Sequence, residues 1–197
     1  GKLTVKASEA EVIVTIKENS GSEKYDGTEK TVTGYTVVSI SNPLYKESDF
    51  TFSGDATIKG TDAGSYDMNV KATDFTNTNG NFTKVTFVIE DGKLTISKRE
   101  VTLTSGSDEK VYDGTALTKD EVTVSGDGFV EGEGATCTVT GSQTNVGSSD
   151  NEFTYTLNEG TKADNYEITT TLGKLTVKAS EAEVIVTIKE NSGSEKY

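Results

Sequence analysis

The chain of 197 residues has no histidine and no tryptophan, and only one cysteine, one proline and one methionine. Each shortage removes a class of chemistry. Without histidine there is no Ser-His-Asp or Cys-His nucleophile pair, no imidazole base and no imidazole metal ligand. A single cysteine, Cys137, builds neither an intrachain disulfide nor a thiolate zinc site. Positive charge is scarce as well: 19 Lys+Arg face 32 Asp+Glu, a net charge of -13. That balance argues against sequence-independent binding to nucleic acid or to an anionic membrane, both of which need clustered cations. No apolar run approaches the length of a membrane span, and neither end reads as a signal peptide.

What is present in quantity is threonine, 32 residues of a strand former with a polar tip, and 20 glycines. Hydrophobic residues make up only 32% of the chain, a composition for which disorder is the competing reading. The apolar positions are patterned, however. Val12, Val14 and Ile16 alternate, as do Thr83, Val85 and Phe87 against Lys84, Thr86 and Val88, which is the period of a strand.

Internal repetition organises the rest. Residues 1–25, GKLTVKASEAEVIVTIKENSGSEKY, recur letter for letter at 173–197, a displacement of 172 positions. A diverged copy lies between them: GKLTIS at 92–97 is followed by a strand-like segment at 100–104 and by KVYDGT at 110–115, while the first copy reaches YDGT at 25–28. Two diverged units therefore alternate, and the repeating object is expected to be the pair. With GKLT(V/I) as the closing strand, the first unit spans 7–98 and the second 99–179. Residues 1–6 then read as the closing strand of a preceding repeat, and 180–197 as the opening strand of a following one. EVIVTI at 183–188 is an apolar strand without its sheet, and such an edge seeks a partner. The end strands are expected to pair with each other or with a neighbouring chain.

Short segments bounded by Gly, Asn, Asp and Ser predict strands at 10–17, 31–40, 49–53, 56–59, 65–72, 82–90 and 93–97 in the first unit. The second unit offers 100–104, 122–125, 135–140, 152–157, 166–171 and 174–178. Helical turns are plausible only at 43–48 and 117–121. This pattern predicts two tandem small Ig-like β-sandwich domains in an elongated arrangement, with a β-grasp-like topology as the alternative. In the duplicated YDGT motif, Tyr25, Asp26 and Gly27 correspond to Tyr112, Asp113 and Gly114. The Asp-Gly step supplies the permissive backbone of a tight turn, and the tyrosine ring packs at the edge of the core. Only 97–100 separates the units, and only 178–181 follows the second, so interdomain bending is restricted.

The combination of YDGT near the start, Ala-Thr in the middle (56–57, 135–136), Asn-Phe or Asn-Tyr late (81–82, 165–166) and Gly-Lys-Leu-Thr at the end (92–95, 173–176) resembles the YDG/MBG-type repeats of bacterial surface proteins. The resemblance implies Ig-like stalk or adhesin modules outside the cell, in large wall-anchored and mainly Gram-positive proteins. It carries over no catalytic residue and no cofactor. Its implied partners are further copies of the repeat in the same chain and a host or cell-wall ligand.

The residues themselves invite other chemistry. The acidic pairs Asp108/Glu109 and Glu131/Glu133 invite a glycosidase reading, but solvated strand edges account for them and a domain of this size has little room for a deep cleft. Calcium is more credible, with Asp26, Glu90, Asp91 and Asp113 as the oxygen donors to inspect, although no EF-hand loop is present. A Lys-Asn isopeptide bond needs an acid between the two; the opening strand of the second unit has no Lys and neither closing strand has Asn. Cys137 reads as a small buried side chain. The expectation is a non-enzymatic stalk, or alternatively a multivalent binding module for a glycan, a protein or a wall polymer.

Overall fold

The computed structural model describes residues 1–191 and 193. The first repeat contributes ten strands: β1 (Val12–Glu18), β2 (Gly21–Lys24), β3 (Lys30–Thr33), β4 (Tyr35–Ile40), β5 (Phe50–Phe52), β6 (Thr57–Gly60), β7 (Gly64–Asp67), β8 (Phe75–Asn77), β9 (Val85–Glu90) and β10 (Lys93–Ser97). The second contributes β11 (Arg99–Ser105), β12 (Asp108–Val111), β13 (Val122–Gly126), β14 (Ala135–Val139), β15 (Gly147–Asp150), β16 (Phe153–Leu157), β17 (Tyr166–Thr171) and β18 (Lys174–Lys178). The only helical elements among the described residues are three-residue 3-10 turns at Glu47–Asp49, Ala72–Asp74 and Ala163–Asn165. The fold is all-β, and the β-grasp alternative lacks the helix it requires.

The sheets reproduce the repeat. Orders β4-β1-β9 and β2-β10-β7 in the first repeat are matched by β13-β11-β17 and β12-β18-β15 in the second, with smaller pairs β3-β6, β5-β8 and β14-β16. In the first repeat β1 runs parallel to β9, Val12 opposite Val85 through Lys17 opposite Glu90, and β2 runs parallel to β10. Opening and closing strands thus point the same way. The chain enters at one end of the repeat and leaves at the other. In the second repeat β12 is likewise parallel to β18, while β15 is antiparallel to it.

Strand β1 is the centre of the first core. Val12, Val14 and Ile16 are completely buried, each burial contributing about 1.5–3 kcal/mol. Around them lies an aromatic cluster: Phe75 meets Phe50, Phe52, Phe87 and Tyr35, and Tyr45 packs edge-on against Phe82. The chain forms two compact units. One comprises Gly1–Thr102 with Val124–Thr136 and Leu157–Thr169; the other comprises Leu103–Thr123, Cys137–Thr156 and the described residues from Thr170. In the latter, Leu117, Leu175 and Val177 form the apolar cluster.

Both repeats solve one problem at the same place. Where the first strand ends, backbone amides that have left the ladder need a buried acceptor. In the first repeat the Glu18 carboxyl supplies it, accepting from the Val70 and Gly92 amides at 2.7 Å each. In the second repeat Ser105 takes that position: its hydroxyl accepts from the Gly173 amide at 2.9 Å and donates to the Asn151 carbonyl at 2.6 Å. The glycine of GKLT is required by this approach. A Cβ at Gly92 would collide with the carbonyl oxygen of Asn19, and one at Gly173 with those of Ser105 and Gly106.

Several expectations change. The strand expected at 31–40 is two strands in different sheets, β3 with β6 and β4 with β1, because the chain turns at Gly34 (φ 87°). The segment expected at 65–72 holds only β7 and then turns into β8. The helical turn expected at 117–121 is absent. Leu117 instead exchanges backbone hydrogen bonds with Gln143 and buries its side chain. The polar strands β2, β12 and β15 were not anticipated, since their side chains are mostly exposed and leave no alternation. Residues 1–7 and 179–191 form no strand. The remainder of the expected 180–197 strand lies outside the described residues.

Replacing Glu18 by Ala orphans two buried amides, each worth about 1–3 kcal/mol. Chemical denaturation should show a loss larger than that of Lys17→Ala on the exposed face of the same strand. Equal losses would contradict the assignment of Glu18 as the anchor.

Candidate functional site

The two YDGT motifs are the same turn. Gly27 and Gly114 have φ of 80° and 82°, a left-handed conformation that glycine adopts without strain. Asp26 Oδ1 accepts from the Thr28 amide at 2.9 Å and hydroxyl at 2.6 Å, and Asp113 Oδ1 does the same with Thr115 at 2.9 and 2.8 Å. A lysine closes each turn, Lys30 on Asp26 at 2.5 Å and Lys110 on Asp113 at 2.8 Å. These lysines, with the threonine hydrogen bonds, hold both carboxyls well below the usual range.

The carboxylates singled out for calcium are not brought together. Asp26 and Asp113 belong to separate turns and already carry their internal donors, while Glu90 closes β9 and Asp91 follows it, both exposed. Among the described residues no group of three or more acidic, cysteine or histidine side chains is placed to hold a metal ion. Of the acidic pairs, Glu109 is bonded to Lys178 at 2.7 Å and Asp108 accepts from the Glu109 amide at 2.8 Å, beside an open depression of about 350 Å³. Cys137 lies half-buried in β14, and burial pushes its thiol pKa up, away from the reactive thiolate.

The densest polar constellation was not anticipated. Parallel pairing of β2 with β10 sets Tyr25 beside the end of the repeat, its amide donating to the Ser97 carbonyl at 2.9 Å. From there the Tyr25 hydroxyl donates to Glu133 Oε1 at 2.5 Å, and the Tyr166 hydroxyl donates to Glu133 Oε2 at 2.6 Å. The two rings meet edge-to-face at 5.6 Å, and Phe129 lies on Tyr166 at 5.0 Å. Arg99 ties the same place together, donating to the carbonyls of Gly128, Tyr25 and Asp127. Lys24 bonds Asp127 at 2.7 Å. Close by in sequence, buried Asn165 accepts from the Ala63 amide at 2.7 Å and donates to Asp62 at 2.9 Å. First-repeat residues 24–25 and 62–63 are thereby joined to second-repeat residues 99, 127–133 and 162–166, all inside one compact unit.

Three features of this cluster decide its chemistry. Glu133 has both oxygens occupied by phenol hydroxyls, so it is a structural acceptor rather than one half of an acid pair with exposed Glu131. Lys162, Asp62 and Asn165 do place an acid between a lysine and an asparagine, but Lys162 is exposed and Asp62 raises its pKa, the wrong direction for a nucleophilic amine. Finally, the tetrapeptide alone does not make the cluster. Tyr112 occupies the same place in its repeat, its amide donating to the Lys178 carbonyl at 2.8 Å, yet its side chain is 43% exposed.

Burial, reinforced by the Glu133 hydrogen bond, pushes Tyr25 and Tyr166 from 10.0 up to about 12. A raised folded-state value means the cluster contributes fully below pH 10 and loses its contribution as pH climbs from 10 towards about 12. In an ultraviolet titration Tyr25 and Tyr166 should ionise late, alongside Tyr35 and Tyr45, which burial also raises, and Glu133→Ala should bring Tyr25 and Tyr166 alone earlier. A late phase that Glu133→Ala leaves unchanged would rule the cluster out.

Comparison with known proteins adds family matches. A model for the MBG domain matches residues 12–98, and one for the YDG domain matches residues 97–173. Neither the curated proteins nor the solved structures give a match. The matches meet where Ser97 and Lys98 pass from β10 towards β11, beside Tyr25 and Arg99. The chain is therefore a tandem of an MBG domain and a YDG domain, and belongs to the YDG/MBG-type repeats.

Proposed function

We propose that this MBG–YDG pair is a non-catalytic spacer, one period of the stalk of a cell-wall-anchored bacterial surface protein or adhesin of the Gram-positive type. The observation that carries the reading is the parallel pairing of β1 with β9 and of β2 with β10. It makes the chain leave the first repeat at the end opposite to where it entered, the connectivity a string of domains needs. Sandwich domains of Ig-like type fit such a string.

The YDGT tyrosine lies at that leaving end in each repeat, paired to the last strand through Ser97 or Lys178. Tyr25 there joins the following repeat through Glu133 and Tyr166, stiffening the connection without a linker. Tyr112 occupies the corresponding position, and in an array it docks on the next copy. Copy number then sets the length of the stalk, and junctions of this kind set its stiffness.

A multivalent binding module is the second reading. It is favoured by a depression of about 370 Å³ in which Leu44, 75% exposed, lies beside Asn42, Asn79, Asn81 and Phe82. Small-angle scattering and ligand arrays separate the two. The spacer reading expects a narrow distance distribution that Glu133→Ala broadens, and no retention on host glycans or wall polymer. Retention of the wild-type chain that Leu44→Asp abolishes would favour the binding module and sink the spacer.

A further inference from the structure

We propose that the first repeat bears tension: a pull passed along the chain loads one long parallel seam of the domain in shear. The two sides of the seam are the start and the end of the repeat. β1 lies beside β9 from Val12 opposite Val85 to Lys17 opposite Glu90, and β2 lies beside β10 from Gly21 opposite Leu94 to Lys24 opposite Ser97. In every pair the partner stands 73 positions later, so the register passes from one sheet to the next without a slip. Backbone bonds continue it at both ends, the Val12 amide donating to the Lys84 carbonyl and the Tyr25 amide to the Ser97 carbonyl, each at 2.9 Å.

The crossing between the two sheets is the weak point of such a seam, and two side chains span it. The Glu18 carboxyl accepts from the Gly92 amide at 2.7 Å, and the Ser20 hydroxyl accepts from the Lys93 amide at 3.1 Å. Force enters at Val12 and leaves at Ser97, at opposite ends of strands that run the same way. The pull therefore slides the two sides past each other along their length, and the bonds of the seam share the load instead of opening one after another. Sliding also disturbs the core. A slip of one residue would turn the buried Val12, Val14, Ile16, Leu94 and Ile96 to the opposite face. Peeled from the entry end, the same bonds would open singly, starting with Val12 and Val85. Resistance to force is set by the barrier to unfolding rather than by equilibrium stability, so the direction of the pull decides the outcome. Bearing tension goes beyond the spacer reading, which asks only for distance, and it holds whatever the two ends of the repeat are tied to.

Single-molecule force spectroscopy on the full chain tests this. In a Cys137→Ser background, one handle is fixed to the N-terminus and the other to Lys98→Cys, an exposed position just after β10, so that only the first repeat is pulled and its seam is sheared. For comparison the second handle moves to Gly80→Cys, an open position in the turn before β9, and the seam is unzipped. At one loading rate the sheared geometry should rupture at a force several-fold above the unzipped one. Glu18→Ala should lower the sheared force, and so should Ser20→Ala, an exposed substitution that keeps the buried acceptor and guards against failure to fold. Tyr45→Phe removes a buried hydroxyl that bonds the Asp49 carbonyl and Asn77 away from the seam; it should lower equilibrium stability and leave the sheared force unchanged. Equal forces in the two geometries overturn the proposal. A sheared force that neither Glu18→Ala nor Ser20→Ala lowers, or that Tyr45→Phe lowers as much, overturns it too. Equal forces together with a narrow distance distribution in scattering would sink the tension-bearing seam and leave the spacer standing.

Discussion

The hydrogen bonds to Glu18, and to Ser105 in the second repeat, are the contacts on which the remaining architecture hangs. Each repeat sends its first strand into one sheet and its continuation into another. At that crossing the ladder stops, and amides of the returning segment face a dry interior, where an unpaired N–H is costly. One buried side-chain acceptor resolves this, and a glycine lets the backbone come close enough to use it. The two repeats have diverged to a carboxyl in one case and a hydroxyl with a buried asparagine in the other, so it is the acceptor position, not the residue type, that recurs. Because the crossing holds, β2 aligns with β10 and β12 with β18.

That alignment explains why a turn motif early in each repeat matters at its far end. Tyr25 is 72 positions before Ser97 in the chain and adjacent to it in space. Its hydroxyl then shares one carboxyl with Tyr166, an arrangement in which two neutral phenols satisfy both oxygens of Glu133. Arg99 adds its planar fork to three backbone carbonyls rather than to an acid, which positions loops instead of forming an ion pair. Salt screens the exposed pairs of this junction, Lys24 with Asp127 and Lys162 with Asp62, but acts less on its phenol–carboxylate bonds, its side chain to backbone bonds and its edge-on and tilted rings.

Parts of this were legible from the residues. The alternation in EVIVTI marks a strand with a buried face, and the doubled Asp-Gly-Thr marks a turn. The short 3-10 turns carried a signal that periodicity does not detect: Lys46-x-x-Asp49-Phe50, Lys71-x-x-Asp74-Phe75 and Lys162-x-x-Asn165-Tyr166 each place an aromatic at the first position of a strand. In the first two, the lysine amide donates to the aspartate side chain at 2.8 Å. Strands β2, β12 and β15 were illegible for a physical reason. They contribute backbone to a central strand and bury little side chain, so selection left no hydrophobic pattern on them. Glu133 was equally hidden, since one acid among 32 acidic residues has no local mark of being shared by two distant tyrosines.

By itself the sequence determined the period of 172, the all-β class, the absence of histidine and of any intrachain disulfide, and the geometry of the YDGT turn. These depend on composition, repetition and interactions within a few residues. Tertiary structure decided which copy of an identical segment becomes a buried strand, which of two identical tyrosine motifs meets a partner, and where the polar anchor lies. Those outcomes depend on edges and acceptors supplied from far along the chain, and no local stretch of residues encodes its own neighbours.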